Sequence, residues 1–343
     1  MEPGGTTIGT VPRPACILCG SDGRPAYEGL TDRLYGAPGT WRMVECRNPD
    51  CRLLWLDPSP AAEDLPRLYE SYFTHEDPPR RRTMSRRILR WLERGYLHRA
   101  YGYHPDMPAT GPALAASLLR LHPGRRAQAD AMAMHLEHCA GGRLLEVGVG
   151  NGETLRGLSE LGWRAQGIDL DPRAVARARV RGLRVDHGTL EEQAFAGGSF
   201  DAVVSSHVIE HVPDPVGMLR ECRRVLRRGG SLVVLTPNAE SFGRRHFGAD
   251  WRGLEPPRHL HLFGAASLAA AARKAGFGRV TCRSTERASA ILLDSRRLRR
   301  GRPLDRGFSV RRRVAIETAF FLEWALCRLR PSAGEELLLL ARD

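Results

Sequence analysis

Arg143-Leu144-Leu145-Glu146-Val147-Gly148-Val149-Gly150-Asn151-Gly152-Glu153-Thr154-Leu155 is the stretch whose reading decides the fold. Its first six residues read as a buried strand, and the residues after them open a helix. Glycines at 148, 150 and 152 let the backbone turn sharply and approach a ligand closely at the carboxyl edge of a sheet. A second strand, over residues 164–168, ends in Asp169, seventeen residues past Gly152. An acidic side chain there can accept both hydroxyls of a ribose. Turn and acid together mark a nucleoside site.

The spacing selects the nucleoside. A dinucleotide loop needs Gly-x-Gly-x-x-Gly so that a helix N-terminus can face a pyrophosphate. Here residue 153 is Glu, the loop is Gly-x-Gly-x-Gly, and an acid, Glu146, ends the strand before it. A carboxylate at that mouth repels a pyrophosphate and suits a ligand carrying an ammonium and a sulfonium, which points to S-adenosylmethionine.

Outward from this turn, short β-rich runs alternate with amphipathic helices from residue 143 onward, the pattern of a parallel α/β sheet. Residues 61–142 read as interrupted helices, over 61–73, 85–101 and beyond a Pro/Gly break at 105–112: a helical connector or substrate cap. Residues 1–60 form a cysteine module that ends in the strand-like Leu53-Leu54-Trp55-Leu56. The whole chain has 343 residues, 42% hydrophobic and 27% charged, which excludes general disorder. No apolar run reaches the ~18 residues of a membrane span. With no basic-then-apolar leader at Met1-Glu2-Pro3-Gly4-Gly5, the expected location is cytoplasmic.

The net charge of +13 is uneven: residues 80–99 hold eight arginines against Glu93, and residues 283–313 hold eleven against Glu286, Asp294 and Asp305. The remainder is close to neutral, which argues against a main domain that grips a nucleic-acid backbone.

Eight cysteines in a reducing compartment make spacing the question. Cys16 and Cys19 form one short-spaced pair, Cys46 and Cys51 another; the other four are scattered. Two such knuckles can present four thiolates to one structural zinc ion, the pattern of a zinc ribbon, and about 60 residues rich in Pro and Gly have little core to fold on otherwise. The alternative is four unligated thiols.

At this point the residues resemble the class I S-adenosylmethionine-dependent methyltransferases. Residues 146–152 look like the family's first motif, and Gly167-Ile168-Asp169-Leu170-Asp171-Pro172 like its ribose-binding segment. Residues 198–215 are similar to its fourth strand and following loop, and residues 226–238 to the helix, turn and fifth strand after it. A narrower likeness takes in the cysteine module, Leu56-Asp57-Pro58, Leu68-Tyr69 and Pro257-Arg258-His259-Leu260-His261-Leu262-Phe263. It resembles a bacterial subgroup tied to sugar, polysaccharide and secondary-metabolite pathways and related to quinone-pathway O-methyltransferases. The resemblance implies a Rossmann-like sheet of seven strands over 143–343, the last two at 279–285 and 335–342 with the final one antiparallel. It implies a cofactor site of Glu146, Gly148, Gly150, Asn151, Gly152, Asp169, Leu170, Thr189, Leu190, Ser206 and His207. Thr189 departs from the family, which often has an acid there for the adenine amine, so adenine recognition falls to backbone groups or a weaker hydroxyl contact.

An insertion at 286–334 carries the second arginine cluster and a helix over 314–329 with Ile316, Phe320, Phe321, Trp324 and Leu326 near helical spacing. It reads either as a helix packed on the domain or a dimer partner, or as a basic amphipathic surface for anionic lipid or a diphosphate-linked substrate. Methyl transfer is an in-line displacement, and a base helps where the acceptor is a weakly acidic hydroxyl. The candidates are His211, His259 and His261; the last two alternate as in a strand and cannot both face one site, while Glu210 reads as scaffold. The leading function is methylation of a small molecule, directed to oxygen on a sugar, lipid-linked glycan or secondary metabolite. An RNA or protein methyltransferase that holds a polymer through the zinc module and arginines is the second reading, and a non-catalytic cofactor-binding scaffold the third.

Overall fold

The computed structural model describes residues 7–69, 84–104, 106–107, 111–286, 290–304 and 309–343. Residues 70–73 of the first expected helix, the arginines at 80–82, and Arg287 and Arg306 lie outside them. The strands are β1 (Thr10–Val11), β2 (Gly23–Leu30), β3 (Trp41–Cys46), β4 (Leu54–Leu56), β5 (Ser59–Pro60), β6 (Arg143–Val147), β7 (Arg164–Asp169), β8 (Val185–His187), β9 (Phe200–Ser206), β10 (Leu226–Pro237), β11 (His261–Leu262), β12 (Arg279–Thr285) and β13 (Glu336–Arg342). The helices are α1 (Met84–Tyr101), α2 (Gly111–Arg120), α3 (Pro123–Met132), α4 (Glu153–Glu160), α5 (Pro172–Val180), α6 (Pro215–Val225), α7 (Phe242–Phe247), α8 (Ala265–Lys274), α9 (Ala290–Arg299) and α10 (Val310–Leu329).

Seven strands hydrogen-bond in the order β12-β13-β10-β9-β6-β7-β8, with β13, the last in sequence, antiparallel. The expected seven-stranded sheet is therefore present, and its strands fall within two residues of the sequence reading where both give bounds, except that β10 already starts at Leu226, where the end of a helix and a turn were expected. The chain divides into two compact units: Met1–Phe73, His207–Arg220 and Val234–Leu339 in the first; Thr74–Ser206, Glu221–Val233 and Leu340–Asp343 in the second.

In the second unit β6 pairs in parallel with both β7 and β9, and Leu144, Leu145, Glu146 and Val147 are all buried, as a central parallel strand covered on both faces requires. Val149, inside the glycine turn, is buried with Leu155, Val175, Ala178 and Val185, so the turn is anchored by its own side chain between α4, α5 and β8. Asp171 caps α5 by accepting from the Arg173 amide, with Pro172 in the first turn where its missing N–H costs nothing.

In the first unit a four-stranded sheet has the order β11-β4-β3-β2. The cysteine module does not complete its own sheet: β11 arrives from two hundred residues later and pairs His261 with Trp55 and Leu262 with Leu54. Trp41, Met43, Leu54 and Leu56 of the module pack with Trp251, Leu254, Leu260 and Leu262 in one core. The residues 62–69 form a 3-10 helix rather than an α-helix, with Pro66 inside it; a proline has no N–H for the longer ladder. Helix α10 starts at Val310, where Ser309 accepts from the Arg312 amide, four residues earlier than the apolar pattern alone indicates. Phe320 on it is buried and Phe321 exposed.

Buried charge runs through this first unit. The Arg258 guanidinium is fully buried, 2.8 Å from Asp32 and 3.3 Å from Glu255, and lies 4.4 Å over the Tyr35 ring. Glu255 also pairs with Arg252. His207, held at a positive φ of 56°, sits between Glu336 at 2.9 Å and Glu210 at 3.3 Å. Burial alone would lower the His207 pKa, but the two carboxylates outweigh it and push it up to about 9. A group whose folded pKa is raised contributes stability in full below its unfolded value, about 6.5, and loses it as pH rises through the folded value. Urea unfolding followed from about pH 6 to pH 10 is therefore expected to show stability declining as pH approaches 9. His207→Gln should be less stable near neutrality and should lack that decline; an unchanged decline in the variant would show that another group causes it.

Candidate functional site

The cofactor turn is built wholly within the second unit. Gly148, Gly150 and Gly152 have φ of 80°, 54° and 77°, the left-handed region that glycine adopts without strain, which accounts for the alternate spacing. A side chain at Gly150 would meet nothing within 4 Å, so the turn is open on that side. Asp169 closes the turn from β7: one oxygen accepts from the Gly150 amide at 2.7 Å, the other from the Asp171 amide at 2.8 Å. Each oxygen keeps acceptor capacity for a ligand hydroxyl. Burial raises the Asp169 pKa against these bonds. Asn151 accepts from the Glu153 amide at the mouth of α4.

Glu146 is the unusual member. It is buried, and Oε2 has no hydrogen-bond partner. Burial pushes its pKa well above the ordinary range, and the charge of Asp169 adds to the push. A carboxyl kept in that condition is suited to a cation that restores its charge, and a ligand with an ammonium and a sulfonium supplies one.

Around this turn, Leu170 is 66% exposed, a bare apolar side chain beside the ribose acid on which a base ring could lie. Thr189 is committed locally: its amide donates to Glu192 at 2.7 Å and its hydroxyl accepts from the Glu192 amide at 3.2 Å. Leu190 is buried behind it. Ser206 ends β9, and His207, the next residue, is held by the ion pairs above.

The first unit brings two of the three expected histidines together. The rings of His211 and His259 are 4.7 Å apart, edge to face. His211 Nδ1 lies 3.0 Å from the Arg258 carbonyl and 3.0 Å from the Tyr69 hydroxyl. A carbonyl only accepts, so Nδ1 carries the proton and Nε2 the lone pair. His259 Nδ1 donates to the Gly253 carbonyl at 2.7 Å, and burial lowers its pKa to about 4, which keeps it neutral. His261 instead stands in β11, buried beside Trp55, outside this pair. Glu210 accepts from the Thr236 hydroxyl at 2.9 Å. Burial would raise Glu210 and Glu255, but facing cations outweigh it, His207 for the one and Arg252 first for the other, and hold both at about 2.

His207, Arg252 and Arg258 face Asp32, Glu210, Glu255 and Glu336 through paired contacts around these rings. Glu210, His211 and His259 also bring ligand atoms within 4.8 Å of one another, a donor set that a divalent cation could use. Sequence reading assigned no role to Tyr69, Glu255 or Asp32. Tyr69 and Arg258 were visible only as members of motifs, and Asp32 carried no signal, because its partner is more than two hundred residues away.

The four cysteines Cys16, Cys19, Cys46 and Cys51 converge, all Sγ atoms within 4.8 Å. Cys16 lies 3.7 Å from Cys51 and Cys19 3.4 Å from Cys46. A disulfide would be about 2.05 Å. Four thiolates at about 2.3 Å from one tetrahedral ion stand about 3.8 Å apart, so the gap is that of a metal ion.

Residues 115–281 match a family model described as a methyltransferase domain. The chain is 37% identical over 133 residues to the ubiquinone biosynthesis O-methyltransferase of Xanthomonas oryzae pv. oryzae, covering 36% of this chain and 56% of that protein. It is 39% identical over 127 residues to the ubiquinone biosynthesis O-methyltransferase of Cereibacter sphaeroides, covering 35% and 51%. The chain thus spans about half the length of the curated relatives it matches. A solved S-adenosylmethionine-dependent methyltransferase from Mesorhizobium loti has 19% identity and a TM-score of 0.44, covering 63% of this chain and 98% of that one. Among the described residues no helix is long and apolar enough to cross a membrane. Sheet order and glycine turn agree with that match: over residues 115–281 the chain resembles a methyltransferase domain.

Proposed function

We propose that this chain is an S-adenosylmethionine-dependent methyltransferase that methylates a hydroxyl oxygen of a small molecule, of the class of sugars, lipid-linked glycans and secondary metabolites. The observation that carries the reading is the buried Glu146 oxygen with no partner, at the mouth of a turn made of three left-handed glycines. When bound, the cofactor supplies a methyl group already activated on a sulfonium. Glu146 faces the cationic portion, Gly150 leaves room for it, Asp169 holds the ribose hydroxyls, and Leu170 covers the base. Thr189 gives one lone pair to its own turn, so the adenine amine falls to backbone groups or to a weaker contact with that hydroxyl.

His211 serves as the general base. Its Nδ1–H is fixed by the Arg258 carbonyl and Tyr69, and its Nε2 takes the acceptor proton as the carbon–oxygen bond forms. His259 stays neutral and braces the ring. The cysteine cluster would hold a structural zinc ion, and thiolates kept for a metal rather than a disulfide fit a reducing compartment such as the cytoplasm.

Incubation with methyl-labelled cofactor and fractionated extract of source cells is expected to put label into the small-molecule or lipid fraction; label in RNA or protein would overturn the reading. With the acceptor in hand, His211→Gln should lower kcat by about 10²–10⁴ and leave cofactor Kd unchanged. Cofactor binding should strengthen with rising pH, because the cation favours ionised Glu146 and a proton leaves on binding. Calorimetry in buffers of different ionisation enthalpy should detect that release, while Glu146→Gln should abolish it and weaken binding about tenfold or more. Metal analysis should give one zinc per chain, and Cys16→Ser should lose both the metal and the cooperative melting of the first unit; a folded, metal-free preparation would reject the ion.

A further inference from the structure

Helices α1 and α2 carry a surface that neither the cofactor turn nor the histidine pair uses. On α2, Pro112, Ala115, Ala116 and Leu119 are buried, whereas Leu114, Leu118 and Leu121, just past its end, are 57%, 46% and 80% exposed. Spacings of four and three residues put these leucines in one stripe. On α1, Ile88 and Trp91, also three residues apart, are 59% and 39% exposed. The two patches adjoin. A Cβ added to Gly111 would lie 3.7 Å from Trp91, and one added to Gly95 would lie 2.4 Å from the Ala115 side chain, so the helices cross closely with Trp91 beside the first turn of α2. Gly111 lies on the flank of α2 that bears Leu114 and Leu118, which makes the apolar surface continuous.

The rim of this surface is cationic. Arg90, Arg94, Arg99 and Arg120 are exposed. Among the described residues of the two helices the one acid is Glu93, half-buried, its carboxyl pushed up by burial. A contiguous apolar stripe in water is unfavourable for a soluble chain and marks an interaction surface. A second copy fits poorly, because a two-fold contact would set arginine rim against arginine rim. A bilayer with anionic headgroups matches both features, since leucine and tryptophan enter the acyl boundary while arginines meet the phosphates.

We propose that the α1–α2 face docks the protein on an anionic lipid bilayer, with Ile88, Trp91, Leu114, Leu118 and Leu121 entering the headgroup boundary. This goes beyond the methyl-transfer reading and does not depend on it.

The test is co-sedimentation of the full chain with vesicles of phosphatidylcholine alone or with about one quarter phosphatidylglycerol. Binding to the anionic vesicles should be tighter by about tenfold or more, and Leu114→Ser/Leu118→Ser/Leu121→Ser should lose about tenfold or more of it with unchanged melting, because the altered side chains face water. Should the triple variant melt early, Leu121→Ser alone, at the most exposed position, should still weaken binding measurably. Arg90→Gln/Arg94→Gln should weaken binding and flatten its dependence on salt. Failure of the wild type to bind anionic vesicles, or equal binding by the leucine variants, would overturn the proposal. So would loss of binding only on changing Leu322 and Leu329 of α10, or a concentration-dependent dimer that the triple variant abolishes, which would assign the face to a second copy.

Discussion

The first unit depends on one buried cation. Arg258 has no exposure, and a guanidinium removed from water is tolerable only if carboxylates and ring faces replace the water it loses. Asp32 and Glu255 supply the carboxylates and Tyr35 the ring. Asp32 is itself fixed, accepting from the amides of Leu34, Tyr35 and Ala37, so the bend after β2 is ordered around the charge it presents. The contact joins the cysteine module to the segment that holds His259. Breaking it would strand a charge where solvent cannot reach, which is why the module and that segment form one core. The Arg258 carbonyl, in turn, fixes the His211 tautomer, so a structural ion pair and a functional proton position meet in a single residue.

The second unit follows the opposite logic. Where Arg258 is flanked by two carboxylates and a ring, Glu146 is left with an oxygen unpartnered in the core, a condition that costs about 1–3 kcal/mol for a neutral group. Neutralisation by a raised pKa limits the cost, and the rest is offset by a sheet buried on both faces and by Val149 locking the turn. A site that is unfavourable when empty and favourable when filled by a cation has its affinity built into the fold, because binding removes a penalty that folding left behind.

How much of this was legible in the sequence depends on distance along the chain. The glycine turn, Asp169 and the alternation of strand and helix are local patterns, and the strands lie where those patterns put them. The four cysteines were legible because short spacing fixes a knuckle whatever surrounds it. The completion of the module's sheet by β11 was not, because nothing local to His261-Leu262 names Trp55 as its partner. Alternation correctly said that His259 and His261 diverge, yet it could not say which joins His211; that is decided by Gly253 accepting from His259 and by β11 taking His261 into the sheet. Nor could the sequence say that Thr189 turns its amide and one lone pair of its hydroxyl toward Glu192.

Two histidines of the first unit show what buried surroundings do to an imidazole. A lone imidazole in an apolar pocket would lose basicity, as His259 does, and could not take a proton from a hydroxyl. Moving a single carboxylate against the ring would instead hold an imidazolium permanently, as Glu336 and Glu210 do for His207. His211 has neither environment at Nδ1: it meets a carbonyl and a phenol there, which fix the ring and its tautomer with no carboxylate against that nitrogen.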